Sequence, residues 1–219
     1  MRIILNSYPK SAHPIGVLSS LTSALIAFNP QNETKISMTD KEGVTADDKM
    51  YLSTVRLLAK FPIMSSWTLR KIKGLPLNYR NNNLSYTENI AYMMFAKPNQ
   101  EYVQNDVIVN ALNTLLILHA DHEQNCSAST VRMVGSAGTN LWATISAGIA
   151  ALWGPSHGGA NQEVLEMLQE IKDSGITTKQ YVEKVKNKEA GVRLMGFGHR
   201  VYKNFDPRAT IIKKSADDV

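Results

Sequence analysis

Residues 196–208, Gly-Phe-Gly-His-Arg-Val-Tyr-Lys-Asn-Phe-Asp-Pro-Arg, set one histidine between glycines and a group of cations. Glycine has no Cβ, so backbone there can approach a ligand closely. His199 can offer a neutral hydrogen bond or a proton near neutral pH. Arg200, Lys203 and Arg208 bring positive charge to the same stretch. Arg208 follows the turn-prone pair Asp206-Pro207, which can hold its guanidinium in place. A guanidinium can grip a carboxylate through two parallel bonds. The combination suits a small anionic substrate with a carbonyl to polarise. Taken alone, so short a run also fits a polar loop with solvated cations.

A second run, Trp153-Gly-Pro-Ser-His-Gly-Gly-Ala-Asn161, again embeds a histidine, His157, in glycines. A helix is predicted to follow. Asn161 is expected as its N-cap, Glu163 in its first turn and Gly175 at its end. Val164, Leu165, Leu168 and Ile171 recur at helical spacing. Amide donors at a helix start disfavour the imidazolium, so His157 would be a neutral donor to an oxygen gaining charge. The competing reading is a turn whose histidine only fills space.

The third run is His119-Ala-Asp-His-Glu-Gln-Asn125. Ile108, Leu112, Leu115, His119 and His122 step by four, three, four and three, which predicts both imidazoles on the inward stripe of one helix. His119, His122 and Glu123 are close enough in sequence to suggest a metal. The spacing is not the i, i+4 pair of a zinc helix, and no other cluster completes a site, so no metal is expected.

The three runs in this order resemble citrate synthase. The matching pieces are LHADHEQNCSASTVR, ALWGPSHGGANQEVLEML and MGFGHRVYKNFDPRA, and the likeness is nearly continuous from Leu118 to Ala209. SYPKSAHPIGVLSSLTSALIAF, residues 7–28, is similar more weakly, and residues 29–60 match no family motif. The likeness is closest to the bacterial branch that assembles as hexamers. It implies an all-α, two-domain helical fold with both domains incomplete. The large domain would cover residues 1–156 and the small domain would begin at 157 and run to 219, with the active site in the cleft between them.

The resemblance also implies roles. His157 matches the histidine that hydrogen-bonds the acetyl-CoA thioester oxygen, and His199 the one that polarises the oxaloacetate carbonyl. His122 matches an oxaloacetate-binding histidine and Arg208 a carboxylate-binding arginine. Leu194, Met195, Gly196, Phe197 and Gly198 match the loop against which the CoA adenine lies, and His119 is supporting. The implied reaction condenses acetyl-CoA with oxaloacetate and water to give citrate and CoA, the entry step of the tricarboxylic acid cycle. Acetyl-CoA is a co-substrate and no cofactor is expected. Homo-oligomerisation, as a dimer or hexamer, is implied as well. One departure stands out. The family's catalytic base is an aspartate well downstream of the signature run, and Asp217 and Asp218 are not in its context. The chain is therefore expected to be an internal fragment of a longer enzyme, inactive alone. A 2-methylcitrate synthase using propionyl-CoA would carry the same residues, and a non-catalytic anion-binding module is the reading from another class.

Composition agrees with a soluble globular protein. Of 219 residues, 43% are hydrophobic and 20% charged, enough to bury a real core. The single cysteine, Cys126, excludes an internal disulfide and suits a reducing, cytoplasmic setting. It is expected to be a packed small residue rather than a nucleophile. No secretory signal is visible at residues 1–6. Residues 133–156 carry no charge, yet their Ser, Thr, Asn, Gly and Ala content predicts a helix buried against other helices rather than in a membrane. The net charge of +5 suits acidic ligands. Two basic patches, Arg70-Lys71-Ile72-Lys73 and Lys184, Lys186 and Lys188, lack the interleaved aromatics of nucleic-acid binders and are expected to be solvated helix faces.

Helices are predicted from Pro14 to Phe28, from Ala46 to Lys73 with a kink or break at Pro62, and from Ser85, as a capping box with Glu88, to Phe95. Further helices are expected at 106–122, 130–153, 161–173 and 178–186. Residues 29–45 read as a loop.

Overall fold

The computed structural model describes residues 1–28, 43, 45–121, 123–198 and 201–219. His122, His199 and Arg200, and nearly all of the expected 29–45 loop, lie outside the described residues. Among the described residues there are ten α-helices and no strand, so the fold is all-α. The helices are α1 (Arg2–Ser7), α2 (Pro14–Ala24, continued by a 3-10 turn at Leu25–Phe28), α3 (Ala46–Ile72), α4 (Tyr86–Phe95) and α5 (Asp106–Leu118). They continue with α6 (Cys126–Gly135), α7 (Leu141–Leu152), α8 (Gly159–Ser174), α9 (Thr178–Lys186) and α10 (Pro207–Asp218). No helix among the described residues is long and apolar enough to cross a membrane.

The core gathers Leu5, Val17, Leu21, Leu25, Leu57, Met64, Trp67 and Trp142 from α1, α2, α3 and α7. Closest packing runs between α6 and α7 and between α2 and α7. Small residues make this possible. Ser19 Oγ donates to the Ser146 carbonyl at 2.9 Å and Ser146 Oγ returns a bond to the Ser19 carbonyl at 2.9 Å. A Cβ at Gly148 would meet Val131 Cγ2 at 2.6 Å.

Pro62 does not break α3. The helix is continuous through it, opened by a capping box in which Thr45 and Asp48 exchange bonds. Proline has no N–H for the carbonyl four residues back, which is that of Leu58. Tyr86 Oη donates to the Leu58 carbonyl at 3.1 Å, so the first residue of α4 satisfies the acceptor that Pro62 leaves open.

Five expectations are corrected. The stretch 130–153 is two helices, because Gly138 at φ +71 ends the first and Asn140 caps the second by accepting from the Ala143 amide. The helix predicted to carry His119 and His122 on an inward stripe ends at Leu118. His119 is its exposed C-cap, with ring Nδ1 at 2.7 Å from the Leu115 carbonyl. Asn161 is not the N-cap of α8. Gly158 is, without a side-chain cap, and Glu163 falls beyond the first turn. Cys126 is exposed at the first position of α6, while Ser127 and Ala128 turn inward. Among the basic patches, Arg70 is not solvated at all: it is 1% exposed. Lys184 does face solvent, 4.0 Å from Glu189.

Candidate active site

His157 is placed by a turn that only glycine permits. Its amide donates to the Gly154 carbonyl at 3.0 Å, and the amides of Gly158 and Gly159 close onto the carbonyls of Leu152 and Gly154. A Cβ at Gly158 would lie 2.3 Å from the Leu152 carbonyl oxygen. The half-buried ring stands immediately before the Gly158 cap of α8. Its Nε2 is 2.8 Å from Ser127 Oγ, and that hydroxyl is also 2.9 Å from the Gly148 carbonyl. Ser127 has one proton for two acceptors, so it governs which ring nitrogen of a neutral His157 keeps its hydrogen. Nothing in the sequence singled out Ser127. It stands thirty residues before its partner in a run of small side chains, and only the α6–α7 contact brings the two together.

The loop carrying the expected CoA contacts packs on the helix that follows His157. The Met195 amide lies 3.3 Å from Met167 Sδ, and a Cβ at Gly196 would meet Val164 Cγ2 at 2.9 Å. Buried Tyr181 of α9 anchors the loop by donating to the Arg193 carbonyl at 2.9 Å. Leu194 and Met195 are half-buried, and Gly196, Phe197 and Gly198 are exposed.

Arg208 is held as the Asp206-Pro207 pair suggested. Asp206 caps α10 through the Arg208 amide at 2.9 Å, and its carboxylate accepts from Arg208 Nε at 3.1 Å and Nη2 at 2.6 Å. The bonds to Asp206 hold the guanidinium above its ordinary range; burial opposes them, and the charges of Asp206 and Tyr202 add to the rise. The bonds use Nε and one N–H of Nη2. A guanidinium has five N–H donors, so Nη1 retains the capacity to meet a carboxylate. α10 lies against α5, the helix that leads into His119 and His122.

Segments around the three runs are in pairwise contact: Ser127, just after the third, bonds to His157 of the second, Met195 and Gly196 lie against Met167 and Val164 of α8, and α10 packs on α5. Where the imidazoles of His122 and His199 stand lies outside the described residues. Among the described residues no three His, Cys, Asp or Glu side chains gather as a metal group.

A second histidine at this junction was not singled out in the sequence. His13 Nδ1 caps α2 by accepting from the Ile15 amide at 3.2 Å, its Nε2 lies 3.0 Å from Gln162 Oε1 of α8, and its ring stacks on Trp153 at 4.8 Å. It ties α2, the end of α7 and the start of α8 together.

Residues 1–219 match the family model described as citrate synthase, C-terminal domain. The chain is 49% identical over 219 residues to citrate synthase 1 of Mycobacterium tuberculosis, covering all of this chain and 49% of the relative. It is 49% identical over 220 residues to citrate synthase of Corynebacterium glutamicum, covering 98% of this chain and 47% of the relative. The chain thus spans about half the length of the curated relatives it matches. Among solved structures it superposes on citrate synthase from Pyrobaculum aerophilum with a TM-score of 0.79 at 32% identity, covering 99% of this chain and 52% of that one. The corresponding values for citrate synthase from Thermotoga maritima are 0.69, 28%, 99% and 51%.

Proposed function

The chain belongs to the citrate synthase family, and from that premise we propose that it supplies most of the active site of an enzyme condensing acetyl-CoA with oxaloacetate and water to citrate and CoA. The observation that carries the reading is the hydrogen-bonded series His157, Ser127, Gly148. A thioester methyl group is a weak acid, so forming its enol requires a base for the proton and a donor for the oxygen. When the Ser127 hydroxyl turns to His157 Nε2, the ring's own hydrogen sits on Nδ1 and is available to the thioester oxygen. When it turns to Gly148, Nδ1 is an acceptor and the donor is lost. Catalysis selects the first arrangement.

The enol carbon attacks the ketone carbon of oxaloacetate, and the ketone oxygen becomes an alkoxide that takes a hydrogen bond from His199. Arg208 and His122 hold the carboxylates and fix the face presented. Water then cleaves the thioester, releasing CoA. The 194–198 loop receives the CoA end of the donor. The proton-abstracting aspartate of the family matches no position in these 219 residues. No separate cofactor is required. Assembly as a homo-oligomer belongs to the same proposal, supported by the bare apolar side chains of Leu165 and Leu168 along α8.

The test is citrate formation by the intact enzyme carrying this segment, with acetyl-CoA and propionyl-CoA in competition. A preference for acetyl-CoA is expected. Absence of condensation with either thioester would remove the proposal.

A further inference from the structure

The basic residues around α1 and the end of α3 are not used by this chemistry. Residues 1–28 contain Arg2 and Lys10 and no carboxylate, and residues 49–87 contain seven cations and no carboxylate. The fold brings these two acid-free segments to one cleft of about 560 Å³, lined by Arg2, Asn6 and Lys10 from the N-terminal segment and by Lys71, Leu75 and Tyr79 from the end of α3 and the loop beyond it.

Among the described residues, the hydrogen bonds of these cations go to neutral groups. Arg2 Nη1 is 3.4 Å from Tyr79 Oη, Lys71 Nζ is 3.2 Å from the Asn6 carbonyl, and Lys10 Nζ stands 2.9 Å from where a Cβ on Gly74 would be. Beneath the cleft wall, buried Arg70 donates through Nε to the carbonyl of Pro76, itself a lining residue, and through Nη1 to the carbonyls of Met94 and Ala96. Its Nη2 is buried without a hydrogen-bond partner. A charge behind a low-dielectric wall projects its field outward with little screening. The carboxyl end of α3 offsets only about half an elementary charge, against three cations at the cleft and one behind it.

We propose that this cleft is a binding site for a multivalent phosphate anion. Cations from separate segments cannot all be met by a monovalent ion. Two of the three are lysines, whose compact ammonium groups suit phosphate oxygens as point charges, whereas a planar carboxylate is matched best by a guanidinium fork. The cleft exceeds what a diphosphate fills, leaving room for an attached group beside exposed Tyr79.

Titration of the chain with inorganic pyrophosphate at low salt, followed by amide chemical shifts, tests this. Residues 2–10 and 71–79 should shift together, with a dissociation constant of about 0.1 mM that weakens several-fold on raising salt from about 50 to 200 mM. Lys10→Ala with Lys71→Ala should weaken binding at least about tenfold, with helix content by circular dichroism unchanged. ADP serves as the second arm. Tighter binding of ADP than of pyrophosphate assigns the site to a nucleotide, and equal binding assigns it to the phosphates alone. Either supports the site. Absence of shifts with both anions at about 10 mM, shifts confined to residues 193–198, or a double variant that binds like the parent overturns it.

Discussion

At the scale of single residues, the proposed chemistry turns on where one hydroxyl proton points. Ser127 is within hydrogen-bond reach of both the His157 ring and the Gly148 carbonyl. Replacing Ser127 by Ala leaves His157 without the partner that selects its Nδ1–H form. The expected result is a turnover number reduced roughly ten- to hundredfold, with oxaloacetate affinity little changed, because general acid–base and donor groups contribute on this order. Steady-state kinetics on the intact enzyme would read the split, and a loss carried mainly by oxaloacetate affinity would contradict it. Removing the donor itself, His157→Ala, should cost at least about a hundredfold, the penalty typical of one oxyanion donor. Near-normal turnover would end His157's assignment. Arg208→Ala should weaken oxaloacetate binding more than CoA binding. His157 and Arg208 could be picked from the sequence because a histidine among glycines and an arginine after Asp-Pro are unusual local patterns. Ser127 and His13 could not, since each acquires its meaning from a partner far along the chain, Ser127 thirty residues away and His13 at Gln162 of α8.

At the scale of elements, local rules located most helices and failed where a contact or a turn decided. The Ser85–Glu88 capping box was legible, and it is present with the Ser85 amide donating to Glu88 Oε2 at 2.6 Å. The bonds from Ser85, first its side chain and then its backbone, with one from Gln104, hold the Glu88 carboxyl below its usual range. Those from Thr45, backbone before side chain, do the same for Asp48. A carboxyl lowered in the folded state stabilises above its unfolded pKa, and that stability is lost as pH falls through the folded value. Helix content should therefore decline on acidification below about pH 4, and Ser85→Ala should flatten that decline. What the sequence could not show was that Tyr86 of α4 would accommodate Pro62 of α3, or that 130–153 would fold back at Gly138. The helix pair so formed makes Gly148 decisive. Gly148→Ala gains about 1 kcal/mol of helix propensity but drives a methyl group into Val131, an overpacking that costs about 1–3 kcal/mol. A net loss of thermal stability is expected, with turnover falling as Ser127 is pushed from Gly148. Adding Val131→Ala should restore turnover, and failure of that rescue would separate the helix spacing from the site.

At the scale of the whole molecule, the described residues bring hydrogen-bond donors to the His157 turn and bond no carboxylate to it. The elements around the runs predicted to cooperate pack pairwise, α6 on the 154–159 turn, the 193–198 loop on α8, and α10 on α5. The periodicity that placed His119 inside a helix misled because the apolar stripe of α5 runs on into the turn that ends it. Two carboxylates of these elements are engaged elsewhere: Asp206 grips Arg208, and Glu166 accepts from Gln162 at 2.7 Å. None among the described residues bonds to His157 or Ser127. Polarising a thioester without removing its methyl proton leaves the carbon without nucleophilic character, so donors alone cannot carry the condensation. The 219-residue chain supplied with acetyl-CoA and oxaloacetate is accordingly expected to form no citrate above the uncatalysed background. Citrate should be measured directly by mass spectrometry, because a thiol reagent for released CoA would also read exposed Cys126. Production of citrate by the chain alone would mean that one of its own carboxylates acts as the base, and Asp206→Asn, Glu163→Gln and Glu166→Gln would then identify which.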